Sequence, residues 1–321
     1  MKFLVIQTAF LGDVVLATAI LEKLHRFYPQ ATIDMVVRKG NESLLSGHPF
    51  LSHVWVFDKR GGKYLNLLRL IRRVRAERYD HVINVQRFAA SGLLTALSGA
   101  KETAGFSKNP LSFFFTHRFP HVITSTPPGT HEVDRNLSLI RHLTDDSPQR
   151  PALYPAPADY AATAQAGPYV CMAPASVWFT KQWPAAEWVA LIRRIPAETG
   201  IHLLGSPDDR DLCDHIMTVA ARPGVINQAG RLTLLQSAAL MHGSRMNYVN
   251  DSAPLHLASA MNAPVTAIFC STVPAFGFGP LSDEAIVAET LEPLDCRPCG
   301  LHGKRACPEG HFRCARIDIQ V

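Results

Sequence analysis

The 321-residue sequence predicts an α/β protein built from two doubly wound domains, each with a parallel sheet. Short β-branched and aromatic runs alternate with amphipathic stretches, this alternation occurs twice, and a proline-rich segment separates the two series. The composition, 47% hydrophobic and 18% charged, provides enough apolar material for two cores. It therefore excludes a disordered or collagen-like chain.

Each series supplies four predicted strands and several predicted helices. In the first half, strands are predicted at 2–7, 32–38, 54–57 and 81–85, and helices at 13–27, 63–78 and 88–98. In the second half, strands are predicted at 169–173, 201–205, 246–249 and 264–270, and helices at 185–199, 208–221, 232–242 and 252–262.

The segment 147–168 contains five prolines and little apolar periodicity, which is typical of a linker. We therefore predict an N-terminal domain at 1–155, a C-terminal domain at 156–295, and a cysteine-rich basic tail at 296–321. Two doubly wound domains of this kind are expected to face each other across a ligand cleft at the carboxyl ends of their strands.

The first residues of the chain imitate a signal peptide, with Lys2, an apolar stretch and small residues at 17–19. Gln7 and Asp13 interrupt that stretch, so we interpret it as a strand that leads into a helix. No run approaches the ~18 consecutive apolar residues of a membrane-spanning helix. We therefore predict neither a signal peptide nor a transmembrane anchor.

Charge is unevenly distributed along the chain. Residues 1–160 contain 20 Lys or Arg and 13 Asp or Glu, residues 161–295 contain 7 and 12, and residues 296–321 contain 5 and 2. Residues 59–78 alone contain eight basic side chains, with Leu65, Leu68, Ile71 and Val74 at helical spacing. This pattern is typical of an amphipathic helix on an anionic membrane surface, although an ordinary packed helix with a solvated cationic face has the same pattern.

Four segments at predicted strand-to-helix junctions could carry chemistry. Gly12 and Asp13 follow the first strand, where a carboxylate either meets a ligand or caps the helix. The chain lacks a GxGxxG motif there, which argues against a nicotinamide enzyme. In 174–184, Ser176, Thr180 and Lys181 suit a phosphate or diphosphate beside a helix N-terminus, unless the segment is merely a solvated loop.

The other two segments lie further along the second half. Asp251 and Ser252 open a helix, and His256 follows about one turn later, so these residues again favour an anion, although His256 could be purely structural. Asp209 comes just after a predicted strand, where a carboxylate either accepts ribose hydroxyls or caps the next helix.

Taken in order, these segments resemble glycosyltransferase family 9, the bacterial lipopolysaccharide heptosyltransferases. The resemblance rests on four boxes, which are GDVVLATAIL at 12–21, KQWP at 181–184, LLGSPDD at 203–209 and NDSAPLHLASAMNAPVTAIF at 250–269. It implies a GT-B fold and an inverting, metal-independent transfer of heptose from ADP-heptose to a lipopolysaccharide core acceptor of the Kdo-lipid A type. It also implies an enzyme that is cytoplasmic and peripheral at the inner face of the inner membrane.

The resemblance implies a role for each residue of the boxes. Asp13 would be the general base, and Lys181 would stabilise the leaving ADP. The residues implied to bind the donor are Ser176, Thr180, Lys181, Asp209, Asp251, Ser252 and His256. The residues implied to line the acceptor are Gly12, Gln86, Arg87 and Ser91. Ala253 stands where the family has glycine, so a different nucleotide sugar remains an alternative donor.

Four cysteines lie within 19 residues of the tail, namely Cys296, Cys299, Cys307 and Cys314. Their CxxC…C…C spacing suits a structural zinc site, with free thiols or disulfides as alternatives. A third reading of the chain is a non-catalytic protein in which this zinc site and the basic helix bind nucleic acid. We expect no nucleic acid partner, because the basic segment lacks interleaved aromatic residues.

Overall fold

Hydrophobic runs form two six-stranded parallel sheets in the computed structural model, which describes residues 1–320. The chain divides into an N-terminal unit, residues 1–123 and 130–154, and a C-terminal unit, residues 124–129 and 155 onward. Within residues 1–320, no helix has both the length and the apolar character needed to cross a membrane.

The N-terminal unit contains six strands and four α-helices. The strands are β1 Lys2–Gln7, β2 Thr32–Arg38, β3 Leu51–Phe57, β4 His81–Asn84, β5 Glu102–Phe106 and β6 His117–Phe119. The helices are α1 Leu11–Phe27, α2 Lys63–Ala76, α3 Ala89–Ala96 and α4 Glu132–Ser138. The strand order β3-β2-β1-β4-β5-β6 is that of a doubly wound fold, with its switch point between β1 and β4.

The C-terminal unit repeats this plan. Its strands are β7 Tyr169–Ala173, β8 Gly200–Leu203, β9 Val225–Asn227, β10 Asn247–Asn250, β11 Val265–Phe269 and β12 Ala285–Glu289. Its helices are α5 Pro157–Thr163, α6 Ala185–Arg194, α7 Arg210–Ala220, α8 Leu234–His242 and α9 Ala253–Ala260. The order β12-β11-β10-β7-β8-β9 places its switch point between β7 and β10. The prediction of two doubly wound parallel sheets is confirmed.

Helix α2 differs in detail from the predicted amphipathic face. Its buried side chains are Leu67, Leu70, Ile71 and Val74, which pack on the N-terminal sheet. The predicted apolar face also included Leu65 and Leu68, but these are 61% and 48% exposed. Ile71 and Val74 of the predicted face therefore pack on the sheet, whereas Leu65 and Leu68 of the same face lie at the protein surface.

The tail is more ordered than its composition suggests. Cys314, Ala315, Ile317 and Ile319 are buried in the core of the C-terminal unit. The indole nitrogen of Trp183 donates a hydrogen bond of 3.0 Å to the Ala315 carbonyl, which fixes the tail against the segment before α6. Burial of apolar side chains therefore orders this segment.

Candidate active site

Asp13 lies at the carboxyl edge of the N-terminal sheet, in the first turn of α1. Its Oδ2 accepts a hydrogen bond of 3.1 Å from the Phe10 backbone N–H, so the carboxylate does cap the helix. The loop before it is held on both sides, because Lys59 Nζ donates to the Thr8 carbonyl at 2.6 Å and Asn41 Nδ2 to the Ala9 carbonyl at 3.1 Å. Capping thus fixes the carboxylate in place at the switch point.

The surroundings of Asp13 suit a general base. Burial raises the pKa of its carboxyl from 3.8 to about 6, and the negative charge of Glu132 adds to that increase. The hydrogen bond from Phe10 and the positive charge of Arg87 oppose it. A carboxylate with a pKa near 6 is a stronger proton acceptor than an ordinary aspartate, yet it is still mostly ionised at neutral pH.

Glu132 belongs to a buried cluster that the sequence motifs did not reveal. It starts α4, and Arg135 Nε donates to its Oε2 at 2.7 Å, while His121 Nε2 lies 3.3 Å from the same carboxylate. Burial alone would raise the pKa of Glu132, but the hydrogen bond from His121 and the charge of Arg135 lower it overall. Glu132 therefore stays ionised near Asp13. Its signal in the sequence is an acidic residue in the first turn of a short, unpredicted helix.

Three of the predicted acceptor residues, Gln86, Arg87 and Ser91, follow β4, across the switch point from Asp13. Gln86 is buried, and its side-chain amide donates to the Gln7 side chain at the end of β1. Gly12 is buried in the first turn of α1. Ser91 is also buried, and its hydroxyl donates 2.8 Å to the Phe88 carbonyl, so this hydroxyl serves the first turn of α3 rather than an open site.

Further cations and aromatic rings lie at the same edge of this sheet. Arg38 ends β2, Lys59 follows β3, and the Arg38 guanidinium carbon lies 5.3 Å from the centre of the Phe10 ring. Phe10 and Phe88, in the turns after β1 and β4, are 64% and 63% exposed. This edge therefore offers positive charge beside exposed apolar rings, which suits an amphiphilic anion.

In the C-terminal unit, the structure brings together two of the predicted boxes. Lys181 follows β7 and Asp251 follows β10, and Lys181 Nζ lies 2.6 Å from Asp251 Oδ2. The Thr272 hydroxyl donates to the same Asp251 oxygen at 2.6 Å. Because both side chains of the pair are largely buried, the ammonium is held in one place at the switch point.

Asn250 connects the same two elements through the backbone. Its Oδ1 accepts a hydrogen bond of 3.1 Å from the Trp183 N–H, and its Nδ2 donates 2.8 Å to the Pro174 carbonyl. Both ends of the loop that carries Ser176 and Lys181 are therefore tied to the end of β10. Ser176 is half-buried in this loop, and its carbonyl accepts from the Gln182 side chain at 2.5 Å.

Thr180 has a different role from the one predicted. It is buried, and its Oγ1 accepts hydrogen bonds from Ser271 Oγ at 2.9 Å and from the Lys304 backbone N–H at 2.8 Å. Its own N–H donates to the Lys304 carbonyl at 3.1 Å. Thr180 therefore fixes the tail beside Lys181, and we correct the prediction that its hydroxyl is available to a diphosphate.

The tail consequently helps to position Lys181. Gly303 has a φ of +76°, and a Cβ added there would lie 2.8 Å from Lys181 Cγ. Arg297 donates to the carbonyls of Phe269, Cys270 and Thr272, which order the segment after β11. None of these contacts has a signal in the four boxes, because the tail is remote from Lys181 in sequence.

The remaining residues predicted to bind the donor lie at strand-to-helix turns, as expected. Ser252 precedes the first turn of α9, and His256 is buried one turn later with its ring centre 6.3 Å from that of Phe278. Asp209 Oδ2 accepts hydrogen bonds of 2.7 Å from both the N–H and the hydroxyl of Ser206. The Asp209 carboxylate thus closes the 3-10 turn Pro207–Asp209 that leads into α7, and it makes no capping hydrogen bond to α7 itself.

The tail cysteines fit a metal in kind but are not arranged as a ligand set. Cys296 Sγ lies 4.0 Å from His311 Nε2, and the Cys299 thiol donates to the Cys296 carbonyl at 3.1 Å. Burial, and secondly the neighbouring Cys299 and Cys307, raise the pKa of the Cys314 thiol to about 11. In the described part of the chain, the one group of three donors within 4.8 Å of one another lies elsewhere, at Glu102, His117 and His142.

Two doubly wound units, each with charged side chains at its switch point, are the architecture of the GT-B glycosyltransferases. The family model of glycosyltransferase family 9 (heptosyltransferase) matches residues 67–307. The chain belongs to this family and is a glycosyltransferase. The alternative of a non-catalytic nucleic-acid-binding protein is therefore wrong.

Relatives and solved structures agree with this assignment. The chain is 27% identical over 281 residues to lipopolysaccharide heptosyltransferase 3 of Escherichia coli, covering 82% of each chain. It is 28% identical over 289 residues to lipopolysaccharide heptosyltransferase 1 of Pseudomonas aeruginosa, covering 86% of this chain and 80% of that one. The structure of E. coli ADP-heptose lps heptosyltransferase II matches with a TM-score of 0.78 at 23% identity, covering 93% and 96% of the two chains. The GT-B prediction is confirmed.

Proposed function

We propose that this glycosyltransferase moves heptose from ADP-heptose to the inner core of lipopolysaccharide, on an acceptor of the Kdo-lipid A type. The observation that carries the proposal is the contact between Lys181 and Asp251, since it joins two family boxes at a switch point suited to a diphosphate. The names of the relatives support lipopolysaccharide as the acceptor. The structure of E. coli heptosyltransferase WaaC with ADP supports ADP as the nucleotide. It matches this chain with a TM-score of 0.74 at 19% identity, and the match covers 89% of this chain and 92% of that one.

The proposed reaction is a single displacement with inversion. Asp13 takes the proton of the acceptor hydroxyl, and that oxygen forms a bond to the anomeric carbon of heptose while the bond from this carbon to the diphosphate breaks. ADP leaves with the bonding electron pair. The pKa of about 6 supports Asp13 as the base, since it is ionised at neutral pH yet basic enough to accept the proton.

The charge on the departing ADP is met by local groups. The Lys181 ammonium and the backbone amides at the start of α9, after Asp251 and Ser252, offer positive charge where negative charge develops. We place Ser176 and His256 beside the diphosphate and sugar, and Asp209 at the ribose. No metal has a part in this scheme, and we propose that the transfer is metal-independent.

A different nucleotide sugar is the second candidate donor, because Ala253 begins α9 where the family has glycine. A methyl group at this turn narrows the space beside the first helical amides. Donor binding by titration calorimetry distinguishes the candidates. We expect ADP-heptose to bind more tightly than UDP- or GDP-sugars, and the reverse order would favour the alternative donor.

The same titration tests the donor site. Lys181→Met should weaken ADP-heptose binding at least about tenfold, since a hydrogen bond to a charged group contributes about 1.5–3 kcal/mol. Arg245→Met is the matched control, because Arg245 is exposed and precedes β10 at the opposite edge of the same sheet. Equal losses in the two variants, or no loss for Lys181→Met, would contradict the assigned donor site.

We also propose that the enzyme works at the inner face of the inner membrane, bound there through α2. Leu65, Leu68, Arg69 and Arg72 are exposed and share one helical face by their spacing of three and four residues. Leucine beside arginine on one exposed face suits the surface of an anionic bilayer. Binding of a phosphorylated lipid acceptor by Arg38 and Lys59, at the carboxyl edge of the N-terminal sheet, would agree with a location at the membrane.

Vesicle sedimentation tests the membrane proposal. The double variant Leu65→Ser/Leu68→Ser should lose binding to vesicles that contain anionic lipid, and its fold should be retained because both leucines are exposed. Leu291→Ser is the control, since Leu291 is 97% exposed in the C-terminal unit. Unchanged binding by the double variant would contradict the proposal.

The cysteine-rich tail is the subject of a separate proposal, which concerns a structural metal ion and not the transfer reaction. We propose a structural zinc ion held by Cys296, Cys299, Cys307 and Cys314, because these thiols share one segment of the C-terminal unit. Binding would require their side chains to turn toward one another. Cobalt substitution tests it, since thiolate coordination gives an intense charge-transfer absorption, and a chain that shows none with Co²⁺ would contradict the site.

A further inference from the structure

Three neighbouring strands of the N-terminal sheet each begin with a metal-ligating side chain. His81 starts β4, Glu102 starts β5 and His117 starts β6. In the sheet register His81 pairs with Glu102, and His117 pairs with Ala104, two residues after Glu102. Paired residues, and residues two apart on one strand, point to the same face. The three side chains therefore lie on one face at the amino edge of the sheet.

A fourth side chain reaches the same place from the segment after α4. The ring centres of His142 and His117 are 4.0 Å apart. The backbone on both sides of His142 is fixed, because Leu139 and Ile140 are buried and the Leu143 carbonyl accepts a 2.6 Å hydrogen bond from Tyr28. The structure thus presents three imidazoles and one carboxylate from four separate elements.

Their spacing approaches that of a coordination sphere. His117 Nε2 lies 3.3 Å from Glu102 Oε2, and His81 Nδ1 lies 3.5 Å from the same oxygen. Ligand atoms of Glu102, His117 and His142 all lie within 4.8 Å of one another. Ligands of tetrahedral zinc are about 3.3 Å apart, given metal–nitrogen distances of about 2.0–2.1 Å.

One nitrogen of this group has the Glu102 carboxylate 3.5 Å away but no hydrogen bond. His81 Nδ1 is buried and makes no hydrogen bond within the described chain, although a buried polar atom ordinarily has one. Glu102 supplies one carboxylate to three imidazoles, so the four side chains do not satisfy one another as ion pairs alone. A cation at their centre would give each of them a partner.

We propose that His81, Glu102, His117 and His142 form a binding site for a divalent transition metal, with zinc as the ion. Imidazole nitrogen with a single carboxylate is a donor set that suits zinc. The site would be structural rather than catalytic, because it lies at the amino edge of the sheet while Asp13 lies at the carboxyl edge. It would fasten β6, a strand of three residues at the edge of the sheet, to β5 and to the segment after α4.

The test uses the full chain after its metal has been removed with a chelator that is then dialysed away. Titration with Co²⁺ should give the weak visible bands of nitrogen and oxygen ligands, independent of any thiolate absorption. Zinc should displace this cobalt and raise the melting temperature of the wild-type protein. The proposal would be overturned if zinc left these cobalt bands unchanged and did not raise the melting temperature.

Variants assign the site to these residues. His117→Ala/His142→Ala, and separately Glu102→Gln, should remove the nitrogen and oxygen bands and weaken zinc binding at least about tenfold. His53→Ala is the matched control, since His53 is exposed on β3, the opposite edge strand of the same sheet, and it should bind zinc like the wild type. Because His142 is exposed and His117 and Glu102 are partly exposed, both variants should keep their fold, so that weaker zinc binding reports the loss of ligands. Zinc affinity and cobalt bands that are retained in both site variants would overturn the assignment.

Discussion

Asp13 is expected to lower the stability of the protein at neutral pH, and Asp13→Asn should reveal this cost. The pKa of its carboxyl is about 6 in the folded chain against 3.8 for an ordinary aspartate, mainly because the surrounding protein shields the half-buried carboxylate from water. A difference of about two pH units corresponds to about 3 kcal/mol. The folded state therefore prefers the protonated form, and the free energy of unfolding decreases as the pH rises from about 4 to about 6.

Asparagine carries no charge at any pH, so Asp13→Asn should increase the free energy of unfolding at pH 7.5 by up to about 3 kcal/mol. This gain should vanish near pH 4, where the wild-type carboxyl is protonated in the folded chain. The same substitution removes the proposed base, and its turnover should fall about 100- to 10,000-fold. A variant that is more stable and less active would be the expected combination at a catalytic carboxylate.

Urea unfolding at the two pH values, followed by tryptophan fluorescence, measures the effect. Trp55 is the one tryptophan of the N-terminal unit, so the measurement is made in a Trp178→Phe/Trp183→Phe/Trp188→Phe background in which Trp55 alone emits. Asp159→Asn is the matched control, because Asp159 Oδ2 accepts the Ala156 N–H at 2.9 Å in the same capping position of α5. The control should lose about 0.3–1 kcal/mol, the usual contribution of a negative charge at a helix N-terminus. A loss of stability in Asp13→Asn at pH 7.5 would refute the argument that burial of its charge is costly.

Two further substitutions test the tail and the N-terminal core. Gly303→Ala should weaken donor binding about tenfold, because the added Cβ would displace the aliphatic part of the Lys181 side chain. Gly310→Ala is the control, since Gly310 has a φ of +70° and no atom within 4 Å of an added Cβ, so this variant should share only the backbone strain. Equal donor affinities of the two variants, measured by calorimetry, would contradict this prediction. Tyr79→Phe should lower the free energy of unfolding by about 1–3 kcal/mol, since the Tyr79 hydroxyl donates to buried Asp34 at 2.5 Å, and an unchanged urea midpoint would argue against that bond.

The sequence predicted the centre of each sheet better than its edges. Strands β1, β2, β7 and β11 are long apolar runs, and their predicted positions agree closely with the structure. By contrast, β6 has three residues, two of which are His117 and Arg118, so its pairing depends on β5 rather than on any pattern of its own. The strands β5, β9 and β12 were likewise not predicted.

The composition of the proline-rich segment predicts a linker throughout, but the segment contains α5. Pro157 occupies the first turn of that helix and Asp159 caps it, which are ordinary start signals. The run of alanines after them lacks the apolar periodicity by which the other helices were found. The proline-rich composition therefore predicts no helix here, whereas the start signals Pro157 and Asp159 do indicate α5.

The site was predictable where it follows from the strand-to-helix boxes. Lys181 and Asp251 are 70 residues apart, yet both come at the ends of strands beside one switch point, so topology brings them together. Glu132 near Asp13, and Gly303 against Lys181, depend on folding of segments outside every box. No local pattern marks such contacts, because they are made by tertiary packing alone.

The most direct test of the proposed function is transfer itself. The purified protein would be incubated with ADP-heptose and a Kdo-lipid A-type acceptor, and the product analysed by mass spectrometry and by NMR of its anomeric centre. We predict one added heptose with an anomeric configuration opposite to that of the donor, and with activity that persists in excess chelator. Retained configuration, or transfer from a UDP- or GDP-sugar but none from ADP-heptose, would contradict the account.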